Sequence, residues 1–421
     1  MTGNEHPPLY PFQQKALDDL CRPDGAKITI IGTGCGKSAV SLLWAKHTNK
    51  PNVLVVTTAS KRDSQDYVND AITWCGKEWL DSRKHYEVIS WAGLSKWWKE
   101  RRDKASFDIS EWCFIYDEIA SAKSGVSSQR GRAFLQIASQ TGCWTGYTAT
   151  PGDRWIDFQA YFVATHKVKN KSDFIRDFCK VQTFKGFPEI VGYENEDTMR
   201  AWWDEISTRP DTSQMLKELP PETHKIVPLP KPKGYDKFME ERISPYTKEF
   251  VDTTMGVCAT ARRMCFSKEK KQWITDFLEN LGRPCVFFVN FIDEEQEMEA
   301  LAKKLKLKVW RIDGSHHDIP TKDTIGKTDI IVANYGAGAE GLNLQFVHYY
   351  VSVSYNYSYT KSVQSRGRIR RIGQDNAQFY YYLETKGTIE QAVKKCLKQK
   401  SDFSAEVWAA EELDMPPSGE V

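Results

Sequence analysis

Short apolar segments alternate with amphipathic ones along most of this chain of 421 residues. The first half contains AKITIIG, NVLVVTTA, HYEVISW, WCFIYDE and CWTGYTAT, and the second half contains CVFFVNF, KVWRIDG, TDIIVANYG, VHYYVSVSY and QFYYYLE. Strands that alternate with helices are the pattern of parallel α/β layers. We therefore predict an α/β chain with two mostly parallel sheets, each flanked by helices.

A proline-rich connector, ELPPETHKIVPLPKPKGY (218–235), separates the two α/β halves. Clusters of proline and glycine mark breaks between structured segments. We predict one domain over 1–225, with a short helical insertion after residue 151, and a second domain over 226–400. Residues 401–421 carry six acidic residues and no lysine or arginine, so we expect a disordered acidic tail that offers a site for a protein partner.

The charge distribution favours an anionic partner although the formal net charge is only +2. Basic residues cluster in KWWKERRDK (96–104) and in RGRIRRIGQ (366–374), where closely spaced arginines repel one another unless something anionic is present. No segment has the roughly 18 consecutive apolar residues of a membrane helix, and the first residues lack the layout of a signal peptide. We expect a cytoplasmic monomer without a membrane partner.

The segment IGTGCGKS (31–38) has the composition of a phosphate-binding loop and stands between a predicted strand and a predicted helix. Its glycines permit a tight turn with N–H groups directed at phosphate oxygens, and the helix N-terminus favours the same anion. Lys37 is predicted to reach the β- and γ-phosphates, and Ser38 to hold Mg²⁺. The residues assigned to ATP binding here are Thr33, Gly34, Cys35, Gly36, Lys37 and Ser38.

Two adjacent acids, Asp117 and Glu118, end the apolar segment WCFIYDE. A carboxylate at the tip of a strand, here Asp117, can hold Mg²⁺ through water, and Glu118 is placed to orient and deprotonate an attacking water. The pair therefore predicts hydrolysis of ATP, with ATP and Mg²⁺ as cofactors.

Three segments, GTGCGKS, YDEIASAKS and GYTATP (146–151), resemble motifs I, II and III of the superfamily-two helicases and translocases. The resemblance implies two tandem RecA-like domains with an ATP cleft between them. In this family the first loop position is commonly not glycine, so Ile31 is an acceptable substitution there. LYPFQ (9–13) resembles the upstream element whose glutamine, here Gln13, recognises adenine. Thr148 and Thr150 are implied to couple hydrolysis to movement.

Two further segments resemble motifs of the same family. VVTTASKRDSQDY (55–67) resembles motif Ia, which contacts the nucleic-acid backbone, and its hydroxyl and cationic side chains suit such contacts. ANYGAGAEGLNLQ (333–345) resembles motif V, which implies an ATP contact at Gly341 and a DNA contact at Asn343. The implied DNA contacts in motif Ia are Thr58, Ser60, Lys61 and Arg62.

QSRGRIRRIGQ (364–374) resembles motif VI, which implies that Gln364, Arg368 and Arg371 face the ATP. In this role Arg371 is the arginine finger and Arg368 a second contact with the γ-phosphate. Such an arginine stabilises the charge of the transition state and raises the rate by about 10³–10⁵ in related phosphoryl-transfer enzymes.

The elements GLNL and RIGQ resemble the SWI/SNF-like branch of double-stranded DNA translocases, and the resemblance covers about 9–400. It implies a nucleic-acid-stimulated ATPase, a DNA helicase or translocase acting on duplex, forked or branched DNA. Two alternatives stay open: an RNA helicase, and a nucleotide-gated DNA-binding protein that does not translocate.

The chain departs from that branch at two sites. Ala120 stands where the branch usually has histidine after the paired acids, and YNYSYTK (355–361) replaces the usual residues after motif V. The region between motifs III and IV is also short. We therefore expect a minimal motor, a compact bacterial or phage-type DEAD/DEAH-like helicase in a bacterial cytoplasm or a phage-infected cell, rather than a nucleosome remodeller.

Overall fold

A computed structural model describes residues 6–32, 34–152, 154–184, 187–316, 318–338 and 342–399. The chain divides into two compact units, Met1–Glu218 and Leu219–Val421. The strands described in the first unit are β1 (Ile28–Ile30), β2 (Asn52–Thr57), β3 (His85–Ser90), β4 (Trp112–Asp117), β5 (Trp144–Thr148), β6 (Cys179–Phe184), β7 (Phe187–Tyr193) and β8 (Ser207–Thr208).

The main sheet of the first unit has the strand order β3-β2-β4-β5-β1-β8, and its strands pair in parallel. Strands β2 and β4 are buried along their whole length, as apolar strands covered on both faces should be. The helices described in this unit are α1 (Pro11–Cys21), α2 (Lys37–Thr48), α3 (Ala59–Asp63), α4 (Asp66–Cys75), α5 (Lys77–Asp81), α6 (Leu94–Arg101), α7 (Gln129–Ala138), α8 (Trp155–Ala164), α9 (Lys171–Phe178), α10 (Glu196–Ile206) and α11 (Ser213–Glu218).

The second unit has its own parallel sheet, in the order β11-β12-β10-β13-β14-β9. Its described strands are β9 (Glu222–Leu229), β10 (Cys285–Val289), β11 (Val309–Ile312), β12 (Ile330–Asn334), β13 (Tyr349–Ser352) and β14 (Gln378–Thr385). Its described helices are α12 (Tyr235–Glu241), α13 (Thr254–Cys265), α14 (Lys268–Leu281), α15 (Ile292–Lys304), α16 (Tyr335–Gly338), α17 (Tyr359–Arg366) and α18 (Ile389–Lys398). The predicted α/β class with two mostly parallel sheets is confirmed.

The boundary between the units lies slightly before the predicted one at 225/226. Strand β9 crosses that predicted position, and it pairs with β14 along its whole length, from Glu222 beside Gln378 to Leu229 beside Thr385. Because backbone pairing ties β9 to the second sheet, the second unit begins at Leu219. The proline-rich sequence obscured this edge strand.

The segment after residue 151 is only partly helical, in contrast to the predicted helical insertion. It contains α8, α9 and α10, and between the last two lies an antiparallel hairpin of β6 and β7. The helices pack aromatic side chains into the core of the first unit, with Trp203 on α10 in an edge-to-face contact 4.7 Å from Phe158 on α8. Among the described residues, no helix is both long and apolar enough to span a membrane.

A buried ion pair fastens α14 to α18 in the second unit. Lys270 Nζ lies 2.7 Å from Glu390 Oε1, with side chains only 1% and 3% exposed. The same ammonium donates to the carbonyl oxygens of Val353 and Leu383. The carboxylate and the two carbonyl oxygens thus accept hydrogen bonds from the buried ammonium group of Lys270 without a water molecule.

Replacing Lys270 with alanine should reduce the free energy of unfolding of the second unit by about 3–5 kcal/mol, because the buried carboxylate of Glu390 would lose its counter-charge. Urea denaturation followed by tryptophan fluorescence measures the change. Lys271→Ala is the matched control: its ion pair with Glu297 is partly exposed, and we expect a loss below about 1 kcal/mol. Equal losses in the two variants would contradict the role given to the buried pair.

Candidate nucleotide and metal site

The phosphate-binding loop leaves the sheet of the first unit at the carboxyl end of β1. Gly36 adopts a left-handed backbone conformation with φ of 71° at the start of α2, which glycine adopts without steric cost. Lys37 and Ser38 are then the first residues of the helix, where backbone N–H groups are unsatisfied and attract anions. The departure at Ile31 has a local cause: its side chain is buried, and its N–H continues the sheet by donating to the Thr148 carbonyl.

Asp117 ends β4 at the same edge of the sheet, since the carboxyl ends of parallel strands lie together. Its side chain is fully buried, and its Oδ2 accepts hydrogen bonds from Thr57 Oγ1 at 2.8 Å and Lys61 Nζ at 2.7 Å. Burial opposes ionisation, but the ammonium charges of Lys61 and Lys37 and the two hydrogen bonds outweigh it and lower the pKa of Asp117. This carboxylate is therefore ionised at neutral pH.

Glu118 connects the paired acids to the loop. Its Oε1 lies 2.7 Å from Lys37 Nζ, and Thr148 Oγ1 donates to its Oε2 at 3.4 Å. The backbone of Glu118 has φ of 49°, a left-handed conformation that is costly for a residue with a side chain and concentrates at functional sites. The structure thus brings together Lys37, Glu118 and Thr148, which the sequence assigned to phosphate binding, hydrolysis and coupling.

A close approach between motif II and motif III explains a glycine in β5. A side-chain carbon at Gly146 would lie 2.3 Å from Ile119 Cδ1, so any other residue there would force Ile119, the residue after the acids, to shift. Thr148 ends this strand, and its hydroxyl also accepts from the N–H of Thr150 at 3.1 Å. Both predicted coupling residues are therefore within one hydrogen-bonded chain that ends at Glu118.

Gln13 braces the loop in this structure. The side chain is buried on α1, its amide nitrogen donates to the Cys35 carbonyl at 3.2 Å, and its Oε1 accepts from the N–H of Tyr10. Recognition of adenine by Gln13 stays a prediction. The structure shows a direct hydrogen bond from Gln13 on α1 to the backbone of the phosphate-binding loop.

The predicted DNA-contact residues of motif Ia do not share one environment. Thr58 caps the N-terminus of α3, and Arg62 is 41% exposed and pairs with Asp63. The hydroxyl of Ser60 is buried without a hydrogen-bond partner. Lys61, by contrast, points into the candidate site and contacts Asp117 rather than lying open on the surface.

In the second unit, motif VI contacts motif V. Arg371 Nη1 donates to the Leu342 carbonyl at 2.6 Å, and Arg368 Nη1 donates to the same oxygen at 3.3 Å. Arg368 and Gln364 are buried, whereas Asn343 is exposed. Three other predictions, for Thr33, Gly341 and the tail 401–421, lie outside the residues that the structure describes.

The donors at the edge of the first sheet fit a magnesium ion. Within the described ranges no group of three or more histidine, cysteine, aspartate or glutamate side chains converges as in an all-protein metal site. Mg²⁺ in nucleotide sites instead uses one or two protein oxygens together with phosphates and waters. The buried Oδ1 of Asp117 has no hydrogen-bond partner, which is the oxygen such an ion or its water would satisfy.

Two residues that support Asp117 were not found from the sequence. Thr57 donates to its carboxylate, and Trp91 Nε1 donates to its backbone carbonyl at 2.8 Å. A hydroxyl at the end of the apolar strand NVLVVT was the available signal for Thr57. Trp91 had none, because its contact joins residues far apart in sequence, one directly after β3 and the other at the end of β4.

Comparison with known proteins finds helicases that are similar to this chain. The helicase conserved C-terminal domain matches residues 269–373, a range that contains Gln364, Arg368 and Arg371. The chain is 20% identical over 437 aligned residues to the DNA annealing helicase and endonuclease ZRANB3 of Bos taurus, covering 94% of this chain and 40% of that protein. The chain is thus similar to a DNA annealing helicase over most of its length and matches a helicase domain over 269–373.

Two further similarities are more limited. The uncharacterized ATP-dependent helicase YqhH of Bacillus subtilis is 35% identical over 75 residues, which are 18% of this chain and 13% of that protein. The SWI2/SNF2 ATPase core of Sulfolobus solfataricus, solved in complex with dsDNA, aligns over 100% of this chain and 95% of that one, with 14% identity and a TM-score of 0.43. The chain thus spans less than half the length of either curated relative.

Proposed function

We propose that the chain is an ATP-dependent DNA helicase or translocase that couples hydrolysis to movement on duplex or branched DNA. The observation that carries the proposal is the cluster at the edge of the first sheet, where Lys37 pairs with Glu118 at 2.7 Å and the adjacent Asp117 pairs with Lys61 at 2.7 Å. A phosphate loop beside an ionised metal carboxylate and a second acid is the arrangement that ATP hydrolysis needs.

Each of these side chains has a distinct task in the proposed reaction. Lys37 exchanges its contact with Glu118 for the β- and γ-phosphates, and Glu118 then accepts the proton of the attacking water. Ser38 and Asp117 would hold Mg²⁺, which would neutralise phosphate charge when bound. Thr148 donates a hydrogen bond to Glu118 and accepts one from the N–H of Thr150. A shift of Glu118 during hydrolysis can therefore move Thr148 and Thr150.

DNA is the favoured nucleic acid because the GLNL and RIGQ elements resemble those of duplex-DNA translocases, and because a relative covering most of this chain is named a DNA annealing helicase. Asn343 is exposed and Arg62 is 41% exposed, and both side chains carry polar groups of the kind that contact the nucleic-acid backbone.

The test is a titration of ATP hydrolysis with single-stranded, duplex, forked and four-way DNA and with RNA. We expect the largest stimulation from duplex or branched DNA. Preferential stimulation by RNA would identify an RNA helicase. An equal rate of hydrolysis with every nucleic acid would contradict the proposed translocase function. Turnover without triplex displacement would favour the nucleotide-gated binding protein.

Lys37→Ala should weaken ATP binding about 10- to 100-fold, which corresponds to one charge-assisted hydrogen bond, and should remove detectable turnover. Fluorescence titration with a labelled nucleotide measures the affinity. Lys27→Ala is the control, because Lys27 donates to the carbonyl of Gly142 away from the loop. An unchanged affinity in Lys37→Ala would contradict the assignment of the phosphate site.

A further inference from the structure

Lys61 is the direct counter-charge of the candidate metal carboxylate. Its Nζ lies 2.7 Å from Asp117 Oδ2, the oxygen that Thr57 also contacts. The Asp117 side chain is completely buried, but that of Lys61 is 17% exposed. The lysine therefore reaches into the site from its rim, and the aspartate cannot move out to meet a different partner.

The position of Lys61 in the chain also places its ammonium group within reach of the surface predicted to contact DNA. Helix α3 starts immediately after β2, is capped by Thr58 and spans Ala59–Asp63, the segment predicted to contact DNA phosphates. A lysine side chain is a flexible stem of four carbons with a point charge at its end. Rotation about its side-chain bonds can thus carry the ammonium from Asp117 to the surface of α3 while the helix stays in place.

The charges around Asp117 do not suit a lysine and a divalent cation at once. Asp117 supplies one negative charge, and the ammonium of Lys61 already balances it at 2.7 Å. A Mg²⁺ ion beside the Lys61 ammonium would add two positive charges at short range in a buried environment, where repulsion is weakly screened.

We propose that Lys61 and Mg²⁺ compete for Asp117, so that binding of the metal and nucleotide releases Lys61 to nucleic-acid phosphates. The inference rests on the ATP and DNA functions proposed above. Because coupling between two ligands is reciprocal, DNA that captures Lys61 also strengthens binding of the metal and nucleotide. Lys61 is then a positioning residue that makes the two sites dependent on each other.

The competition is tested by the affinity for Mn²⁺ in the presence of ADP, measured by electron paramagnetic resonance without DNA. Lys61→Met and Lys61→Gln should each bind Mn²⁺ about tenfold more tightly than the wild type, since both remove the competing charge. Lys84→Met is the control: it removes one charge from the same unit, where Lys84 pairs with Glu111 rather than Asp117, and it should leave the affinity unchanged. Equal or weaker Mn²⁺ binding by the two folded Lys61 variants would overturn the competition, and thermal melting confirms that they are folded.

The release of Lys61 is tested by fluorescence anisotropy of a labelled DNA duplex with and without Mg²⁺ and AMP-PNP. The nucleotide should tighten DNA binding about fivefold or more in the wild type and in Lys84→Met, and not in Lys61→Gln. The same tightening in Lys61→Gln would overturn the switch.

The two experiments separate this inference from the proposed function. If the wild type binds no DNA, the proposed DNA function fails, while the Mn²⁺ comparison still decides whether Lys61 competes with the metal. If DNA stimulates hydrolysis and the Lys61 variants bind Mn²⁺ like the wild type, the proposed function stands and the switch is wrong.

Discussion

Glu118→Gln should reduce ATP turnover about 10²–10⁴-fold while leaving ATP binding intact. Glutamine has the shape of glutamate, and its carbonyl oxygen can still accept a hydrogen bond from Lys37, but it cannot take a proton from water. The substitution also removes the carboxylate that holds Lys37 at 2.7 Å, so the lysine becomes freer to contact phosphates. We therefore expect an affinity for ATP equal to that of the wild type or higher.

Two measurements distinguish this result from a general loss of structure. Steady-state hydrolysis gives the turnover, and titration with a labelled nucleotide gives the affinity of the same preparation. Glu111→Gln is the matched control, because Glu111 forms a partly exposed ion pair with Lys84 in the same unit. If Glu118→Gln lost ATP binding, or kept its turnover, the assignment of Glu118 as the general base would be refuted.

The sequence was sufficient to predict the fold class and the residues at the edge of the first sheet. Buried parallel strands are continuous apolar segments, so β1 to β5 and the acids that end β4 could be read directly. The hairpin of β6 and β7 and the edge strand β9 were missed, because their sequences are mixed or rich in proline. Edge strands and hairpins bury one side only and leave a weaker pattern.

The environment of a long side chain was not predictable from its motif. Lys61 stands beside Arg62 in a segment that resembles a DNA-contact motif, yet only the fold shows that the first is 2.7 Å from Asp117 and the second points to solvent. The same holds for Gln13, whose amide contacts the loop backbone. Such contacts depend on side-chain rotamers and on packing between elements distant in sequence, which local patterns do not encode.

Arg371→Ala should lower turnover about 10³–10⁵-fold, the effect of an arginine that stabilises charge in the transition state of phosphoryl transfer. Within its own unit Arg371 donates to the Leu342 carbonyl at 2.6 Å, and Arg368 donates to the same oxygen. Because the carbonyl keeps one donor after the substitution, we expect the second unit to remain folded. Nucleotide affinity, set mainly by the loop and Lys37, should change little.

Arg370→Ala provides the comparison, since it removes the same side chain one position earlier. Arg370 lies 3.3 Å from Glu222 and donates to the Pro220 carbonyl, contacts that join the loop after α17 to the start of β9. Arg370→Ala should lower the melting temperature and change turnover little. Arg371→Ala should lower turnover and change the melting temperature little. Measuring melting temperature and hydrolysis for both variants therefore separates a catalytic arginine from a structural one. Equal turnover in the two variants would refute the assignment of Arg371 as the arginine finger.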